Sequence, residues 1–556
     1  MKTTNLIEIA WLPVLDQAGQ RAFITPAQVA EDGGLRYRTL ASPRPDFDGA
    51  LLQFLIGLLQ TAFMPVDEAA WKHHWNTPPT PEELDQAFTA HANAFQLGGY
   101  GSRFMQDLSL QDGEAKPIAT LLLDAPGGNT VRNNQDHFIK RDTVAGICPA
   151  CAATALFCLQ TNAPSGGQGH RVGLRGGGPL TTLLVPKEDE GWVPGLWHVL
   201  WLNVLPAEYF LPEEGQGGQA AIFPWLASTR TSEKNQKTTP QQAHPLQMFW
   251  GMPRRIRLDF ENLAEGTCDL CGQASPALLT HYATRNFGVS YEGWIHVLSP
   301  HSRESAGKPY LPAHGQPGGI GFRYWAGLVV ADMDNRGKGR IPAKVVGHAA
   351  SKAFRRKIPA DIQAFGYDMD NMKARAWVDS RMPFKMAVDE TKQAEFEDRS
   401  RQFVQTANEA FLYLRGMVKG ALYGEVIDKD GSHDFAFPPN TKIDTAFFDT
   451  LAGYFWRQGE PLFYRRLDEL LQCLGDEAKQ QQCAEAWLKN LDKLAHDLFD
   501  QAIGTVEEAD HRLKAVVYAR KKLGGMLRGD KLRGLAGLPV RTDKKATTTR
   551  KGGKRG

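Results

Sequence analysis

Little in the sequence would take the chain into a membrane or out of the cell. Its longest apolar segment, Ala50 to Met64, runs 15 residues and holds two glutamines. A bilayer span needs about 20 apolar residues, so this segment predicts a buried helix and no membrane partner. The opening MKTTNLIEIAW has one lysine and no apolar run or small-residue cleavage site behind it, so no export signal is expected and the expected compartment is the cytoplasm. Charge of one sign is also lacking: 64 Lys and Arg stand against 62 Asp and Glu, a net of +2. Seven of those bases and one of those acids fall in Arg541–Gly556, which leaves residues 1–540 at net −4. A basic nucleic-acid coat is excluded, and any phosphate contact must come from local patches or from other subunits of a complex.

Catalytic signatures are missing too. There is no GxxxxGK[ST] loop, no HExxH and no GxSxG elbow. Carboxylates are plentiful but form no pair at a spacing that suggests acid–base work. One isolated His-Asp pair, His433-Asp434, lies in a polar stretch and reads as a solvated turn. The string DMDN occurs at 332–335 and 368–371, but neither copy has the twelfth-position glutamate of an EF-hand loop. A binding protein is therefore expected rather than an enzyme.

Seven cysteines are few for 556 residues, yet four form two CxxC pairs, Cys148 with Cys151 and Cys268 with Cys271. In a chain expected in reducing cytoplasm such pairs point to metal rather than disulfides. Two thiolates so spaced grip one face of a tetrahedral Zn²⁺, and two pairs close a structural site with no position left for water. Four small buried apolar residues would be the alternative; two CxxC pairs among seven cysteines disfavour it. Cys158, Cys473 and Cys483 are expected to take no part.

Between the pairs lies a glycine-dense stretch, Ser165-Gly-Gly-Gln-Gly169 and Gly173-Leu-Arg-Gly-Gly-Gly178. Glycine lets backbone approach a ligand where side chains would clash, and His170, Arg171 and Arg175 supply charge that a phosphate would want. A surface linker is the competing reading, and dense apolar sequence on both sides favours a shaped loop.

Taken in order, residues 1–45 read as short strands, including Ile7–Val14 and Arg21–Thr25. A helix is expected over Asp46–Met64 with Asp46 or Asp48 as cap, and another over Glu82–Phe95 after the break at Pro78–Pro81. Arg132–Arg141 is polar with one aromatic, Phe138; its Asn133, Asn134, Gln135, His137, Lys140 and Arg141 suit single-stranded RNA or phosphates, and equally a long surface loop. Leu328–Val346 reads as a hairpin turning at Asn335-Arg-Gly. From about Asp389 apolar residues recur every three or four positions, over 395–422, 444–456, 461–474, 478–503 and 506–527, which predicts an antiparallel bundle. The fold class expected is α+β: a mixed N-terminal domain (1–385) with a structural zinc site, then an all-α bundle (386–535) and a disordered basic tail (536–556).

The ordered strings ICPACAATALF, NAPSGGQG, GLRGGGPLTT and GTCDLCGQ resemble the large subunit of the type I-E CRISPR surveillance complex, Cascade. That resemblance implies a subunit that recognises the protospacer-adjacent motif in double-stranded target DNA, wedges the duplex open for guide-RNA pairing, and recruits a helicase-nuclease. Its partners would be guide RNA, target DNA, the other Cascade subunits and that effector. By the same resemblance Ser165, Gly166, Gly167, Gln168 and Gly169 approach minor-groove base edges. A motif-reading basic residue of relatives aligns with Asn286, beside Arg285, which departs from the family pattern. A wedge hairpin matches Gly366-Tyr367 and puts Asp370, Asn371 and Met372 at its tip with Lys373 and Arg375 beside it, and Asn133, Asn134, Phe138 and Lys140 fall on a guide-RNA loop. Two other classes compete: a zinc-stabilised nucleic-acid phosphohydrolase built from scattered residues, and a purely structural assembly scaffold.

Overall fold

The computed structural model describes residues 4–125, 132, 143–167, 169–189, 191–370, 372–429, 432–504 and 512–540. It divides into two compact units. One comprises residues 1–320 and 324–385; the other comprises residues 321–323 and 386–556.

The first unit is α+β, with several small antiparallel sheets around short helices. Strands Leu12–Asp16, Arg21–Ile24 and Tyr37–Leu40 form one sheet, with Leu12–Asp16 central. The Pro45–Ala62 helix follows and is buried almost all round. It is not capped by Asp46 or Asp48: Arg44 takes the cap position in extended backbone, Pro45 opens the first turn, and both aspartates lie inside it. Proline suits that position because its missing N–H would have had no partner there, and the two acids complement the helix dipole. Asp48 also accepts the Ser42 N–H at 2.8 Å. The helix expected over Glu82–Phe95 is the shorter Pro81–Thr89, opened by a Thr80–Glu83 capping box, and a further helix, Glu68–Asn76, precedes it. Phe54, midway along Pro45–Ala62, collects Trp11, Phe95, Phe104, Phe157 and Trp250 edge-on at 5.4–5.9 Å. Such aromatic pairs each add about 0.5–1.5 kcal/mol beyond the area they bury, so this cluster is the centre of the unit's core.

Two further sheets position the candidate sites. Glu114–Pro117, His281–Arg285 and Arg255–Leu258 form a three-stranded sheet with His281–Arg285 in the middle. The longest strands, Ala360–Asp370 and Lys373–Phe384, make a hairpin whose first strand also pairs with Thr181–Pro186. The expected hairpin in 328–346 pairs Asp332–Met333 with Gly339–Ile341.

The second unit is a helical bundle of Gln393–Tyr423, Thr445–Cys473, Glu477–Gly504, Leu513–Leu527 and Asp530–Leu535. The segments expected as separate helices over 444–456 and 461–474 are one, continuous through Pro461. An internal proline removes one helical hydrogen bond and crowds the preceding turn. Burial of Phe455 and Phe463 on either side of it, in one core with Leu451 and Leu467, offsets that loss. His433 and Asp434 lie not in a turn but in the strand Ser432–Ala436, paired with Glu425–Lys429. The packed chain also runs past 535, because Ala536 and Leu538 are buried and Arg399 donates to the Gly537 carbonyl at 3.3 Å. Among the described residues no helix is long and apolar enough to cross a membrane.

Candidate metal centre and nucleic-acid interface

The four cysteines of the two CxxC pairs converge. Their Sγ atoms lie within 4.8 Å of one another, and among the described residues they form the one cluster able to hold a metal ion. Cys148 caps the Pro149–Asn162 helix and Cys151 lies in its first turn. Cys268 and Cys271 lie in the connection between strands Ala264–Thr267 and Ala274–Leu278. Backbone locks the two halves together: Ile147 and Leu279 exchange both N–H···O bonds, and Asp269 accepts the Ala145 and Gly146 amides at 2.7 and 2.8 Å. The Cys148 N–H points at Cys268 Sγ at 3.3 Å.

The donor set fits zinc. Tetrahedral Zn–S bonds of about 2.3 Å place sulfurs about 3.8 Å apart, and Cys148 Sγ to Cys271 Sγ is 3.7 Å. Hydrogen bonds with Cys148 and Cys268, together with burial, push the Cys151 thiol up. Cys158, Cys473 and Cys483 lie apart from the cluster and are buried.

The glycine-dense stretch is a shaped loop. Gly166 N–H donates to His170 at 3.1 Å, Gly173 N–H to Ala163 at 2.8 Å and Gly178 N–H to Asn162 at 3.0 Å. Ser165, Gly166 and Gly167 are exposed while Gly169 is buried. Gly169 has φ +84°, and a Cβ there would lie 2.7 Å from Asn286 Cβ. The Gly169 carbonyl accepts the Phe287 amide at 2.8 Å. The exposed turn and the exposed pair Arg285–Asn286, at the end of strand His281–Arg285, are thus fixed to each other. A cavity of about 340 Å³ adjoins them, lined by His170, Glu233, Thr284, Arg285, Asn286 and Phe287 among others.

Not every expected charge is available. Arg175 is fully buried and donates to Gln53, Thr181 and Ser299, so it supports the loop from inside rather than offering charge to a phosphate; burial pulls its guanidinium down to about 9. Arg171 donates to Ser232 at 2.7 Å, and burial beside Arg254 lowers His170. Arg375 is committed to Asp368 at 2.7 Å. Arg254, which the sequence reading passed over, donates to the Pro164 carbonyl at the root of the loop; its only signal is its place in the basic string Pro253-Arg-Arg-Ile-Arg257.

Asp370, Met372 and Lys373 are exposed at the far end of the long hairpin, where Asp370 pairs with Lys373. Gln168, Asn371, Asn133, Asn134, Phe138 and Lys140 lie outside the described residues.

The fold is similar to that of solved CRISPR-associated proteins. The chain is similar to Cse1 of Thermobifida fusca at 17% identity and TM-score 0.67, covering 96% of this chain and 98% of that one. It is similar to Cse1 of Acidimicrobium ferrooxidans at 16% identity and TM-score 0.65, covering 96% and 99%. A chain of a CRISPR RNA-guided surveillance complex matches at 14% identity and TM-score 0.61, covering 93% and 99%. The family model for CRISPR-associated protein Cse1 matches residues 5–498, and the chain belongs to that family.

Proposed function

We propose that this chain is the large subunit of a type I-E Cascade, acting in the cytoplasm by binding and not by catalysis. Residues 1–385 recognise the protospacer-adjacent motif in double-stranded DNA and start its unwinding, and residues 386–535 form the bundle. A guide RNA held in the complex reads the rest of the target by pairing, and the opened complex receives a helicase-nuclease. The observation that carries this reading is the exposed Ser165–Gly167 turn held beside Asn286 by the bond from the Phe287 amide to the Gly169 carbonyl. Bare backbone beside an amide suits a minor groove, where base edges offer acceptors and the guanine amino group. Asn286 can both donate and accept, unlike a lysine. Zn²⁺ fills the four-cysteine cluster and holds the loop's helix to the 264–278 strands; with four sulfur ligands it has no open position for chemistry.

The wedge reading assigns the hairpin tip, with Asp370, Asn371 and Met372, to the gap left by the first opened base step. Opening that step costs a few kcal/mol, and an exposed apolar side chain such as Met372 can offset part of it. In assembled complex, Met372→Gly is expected to slow opening of a closed duplex about tenfold and to leave binding of a duplex with mismatched, already open pairs beside the motif unchanged. Equal loss on both targets, or failure to assemble, would exclude the wedge. Cleavage of labelled DNA by the isolated chain with Mg²⁺ or Mn²⁺ would favour a hydrolase instead.

The basic run Arg541–Gly556 gives a further expectation. Its removal should weaken sequence-independent DNA binding and flatten the slope of log K against log salt, because each lost phosphate contact releases one fewer counterion. An unchanged slope would show that the run contacts no phosphate.

A further inference from the structure

The long hairpin outruns its sheet. Strand Thr181–Pro186 pairs only with Ala360–Phe365, and from Gly366 onward the two strands continue by themselves to Asp370 and Lys373. A lone two-stranded ribbon is only marginally stable in water, so one that must push against a base pair needs a fixed point. Tyr367 stands where the support ends. It is 3% exposed, and its hydroxyl donates to Asp46 Oδ2 at 2.5 Å. Asp46, equally buried in the first turn of Pro45–Ala62, is held in turn by Arg44 through Nε at 2.9 Å and Nη2 at 3.0 Å. Arg44 also reaches Asp124 at 3.0 Å.

Close packing surrounds the same point. A Cβ on Gly178, at the end of the glycine-dense stretch, would lie 2.7 Å from Tyr367 Cβ, and one on Gly315 would lie 2.7 Å from the Tyr367 carbonyl carbon. The Trp377 ring on the second strand meets the Tyr367 ring edge-on at 5.0 Å. Just beyond, the ladder shifts register between Asp368 and Met369, the kind of bulge that re-aims a strand. Burial and the nearby Cys158 and Asp46 hold the Tyr367 hydroxyl protonated, so it remains a donor.

We propose that Tyr367, Asp46 and Arg44 are positioning residues that pin the hairpin to the Pro45–Ala62 helix and so set the direction and stiffness of its tip during strand opening. This rests on the wedge reading above. A hydrogen bond to a buried carboxylate is among the stronger ones, while the phenyl ring alone would keep the packing.

The test uses the complete complex with guide RNA and three variants. Tyr367→Phe should slow opening of a closed duplex about tenfold and spare a pre-opened one. It should also raise amide hydrogen exchange at Met369 and Asp370 without changing the Thr181–Pro186 amides. Asp46→Asn, which keeps an acceptor and the shape, should give the same selective defect and serves if Tyr367→Phe fails to assemble. Met372→Gly is the control for the wedge itself. If Met372→Gly slows closed-duplex opening while both anchor variants match wild type, the anchor is wrong and the wedge stands. If Met372→Gly has no effect, the wedge reading fails and takes the anchor with it. Equal loss on closed and pre-opened targets in the anchor variants would reduce Tyr367 to a core residue and overturn the proposal.

Discussion

A Cys268→Ser/Cys271→Ser protein is expected to lose its single zinc and, with it, several kcal/mol of stability in the N-terminal unit. Binding free energy for a structural zinc is folding free energy, on the order of 10 kcal/mol in peptides that have no other core. Here the unit has its own aromatic core around Phe54, so part of the fold should survive. What should fail first is the junction between the Pro149–Asn162 helix and the 264–278 strands, which a short run of backbone bonds and the Asp269 carboxylate otherwise join. Metal analysis and calorimetry of the variant check this, with Cys158→Ala as the control expected to keep its metal. Undiminished zinc in the double variant would end the four-cysteine assignment.

Glu68→Ala is expected to cost about 3–5 kcal/mol, the range seen when a buried ion pair loses one member. Arg355 has a fully buried side chain; its Nε and Nη2 donate to the two Glu68 oxygens at 2.8 and 3.0 Å, and its guanidinium lies 3.6 Å from the centre of the Trp71 ring. His348 Nε2 is 3.0 Å from the same carboxylate, and its Nδ1 is 2.8 Å from the Tyr209 hydroxyl. With the imidazole neutral, Nε2–H donates to Glu68 and Nδ1 accepts from Tyr209. Removing the carboxylate leaves a buried cation with no counter-charge, and urea unfolding at neutral pH would measure the loss. The same network predicts acid sensitivity. Burial alone would raise Glu68, but hydrogen bonds from His348 and Arg355 overcome it and hold the carboxyl down at about 2. Burial lowers His348 below its usual value. Both folded-state values lie below the unfolded ones, so both contributions are complete above the unfolded values and fade as pH falls. Loss begins below about 6.5 for His348 and below about 4.5 for Glu68, continuing towards 2. A Glu68→Ala/His348→Ala protein should therefore show a flatter stability profile across that range.

Local features were legible in the sequence and cross-chain ones were not. The cysteine spacing announced a cluster because ligand geometry constrains neighbours three apart. The three-and-four periodicity gave the bundle because burial of one helix face is a local pattern. Pro461 misled because a proline rule describes an isolated helix, whereas burial on both sides of it carries this one through. Arg175 misled differently: in a string of glycines it reads as solvent-facing charge, yet its three acceptors include Gln53 and Ser299, each more than a hundred residues away. The Tyr367–Asp46 bond spans 321 positions, and no short motif can foretell such a partner.

The helical unit is discontinuous along the chain, and that bears on how the protein can be divided. Phe322, from the 321–323 excursion, stacks on Phe463 at 4.9 Å and meets Trp456 and Trp487 edge-on. A Cβ on Gly459 would come 3.2 Å from its ring, so the Thr445–Cys473 helix is shaped around this one side chain. A fragment begun at residue 386 would contain every helix and still lack a core residue, leaving an aromatic-lined hole where the ring belongs. Excising the bundle for study therefore calls for a graft of the Gly321–Arg323 tripeptide or a larger side chain at Gly459, and a poorly behaved 386–556 fragment would speak to the missing plug rather than to the bundle's helices.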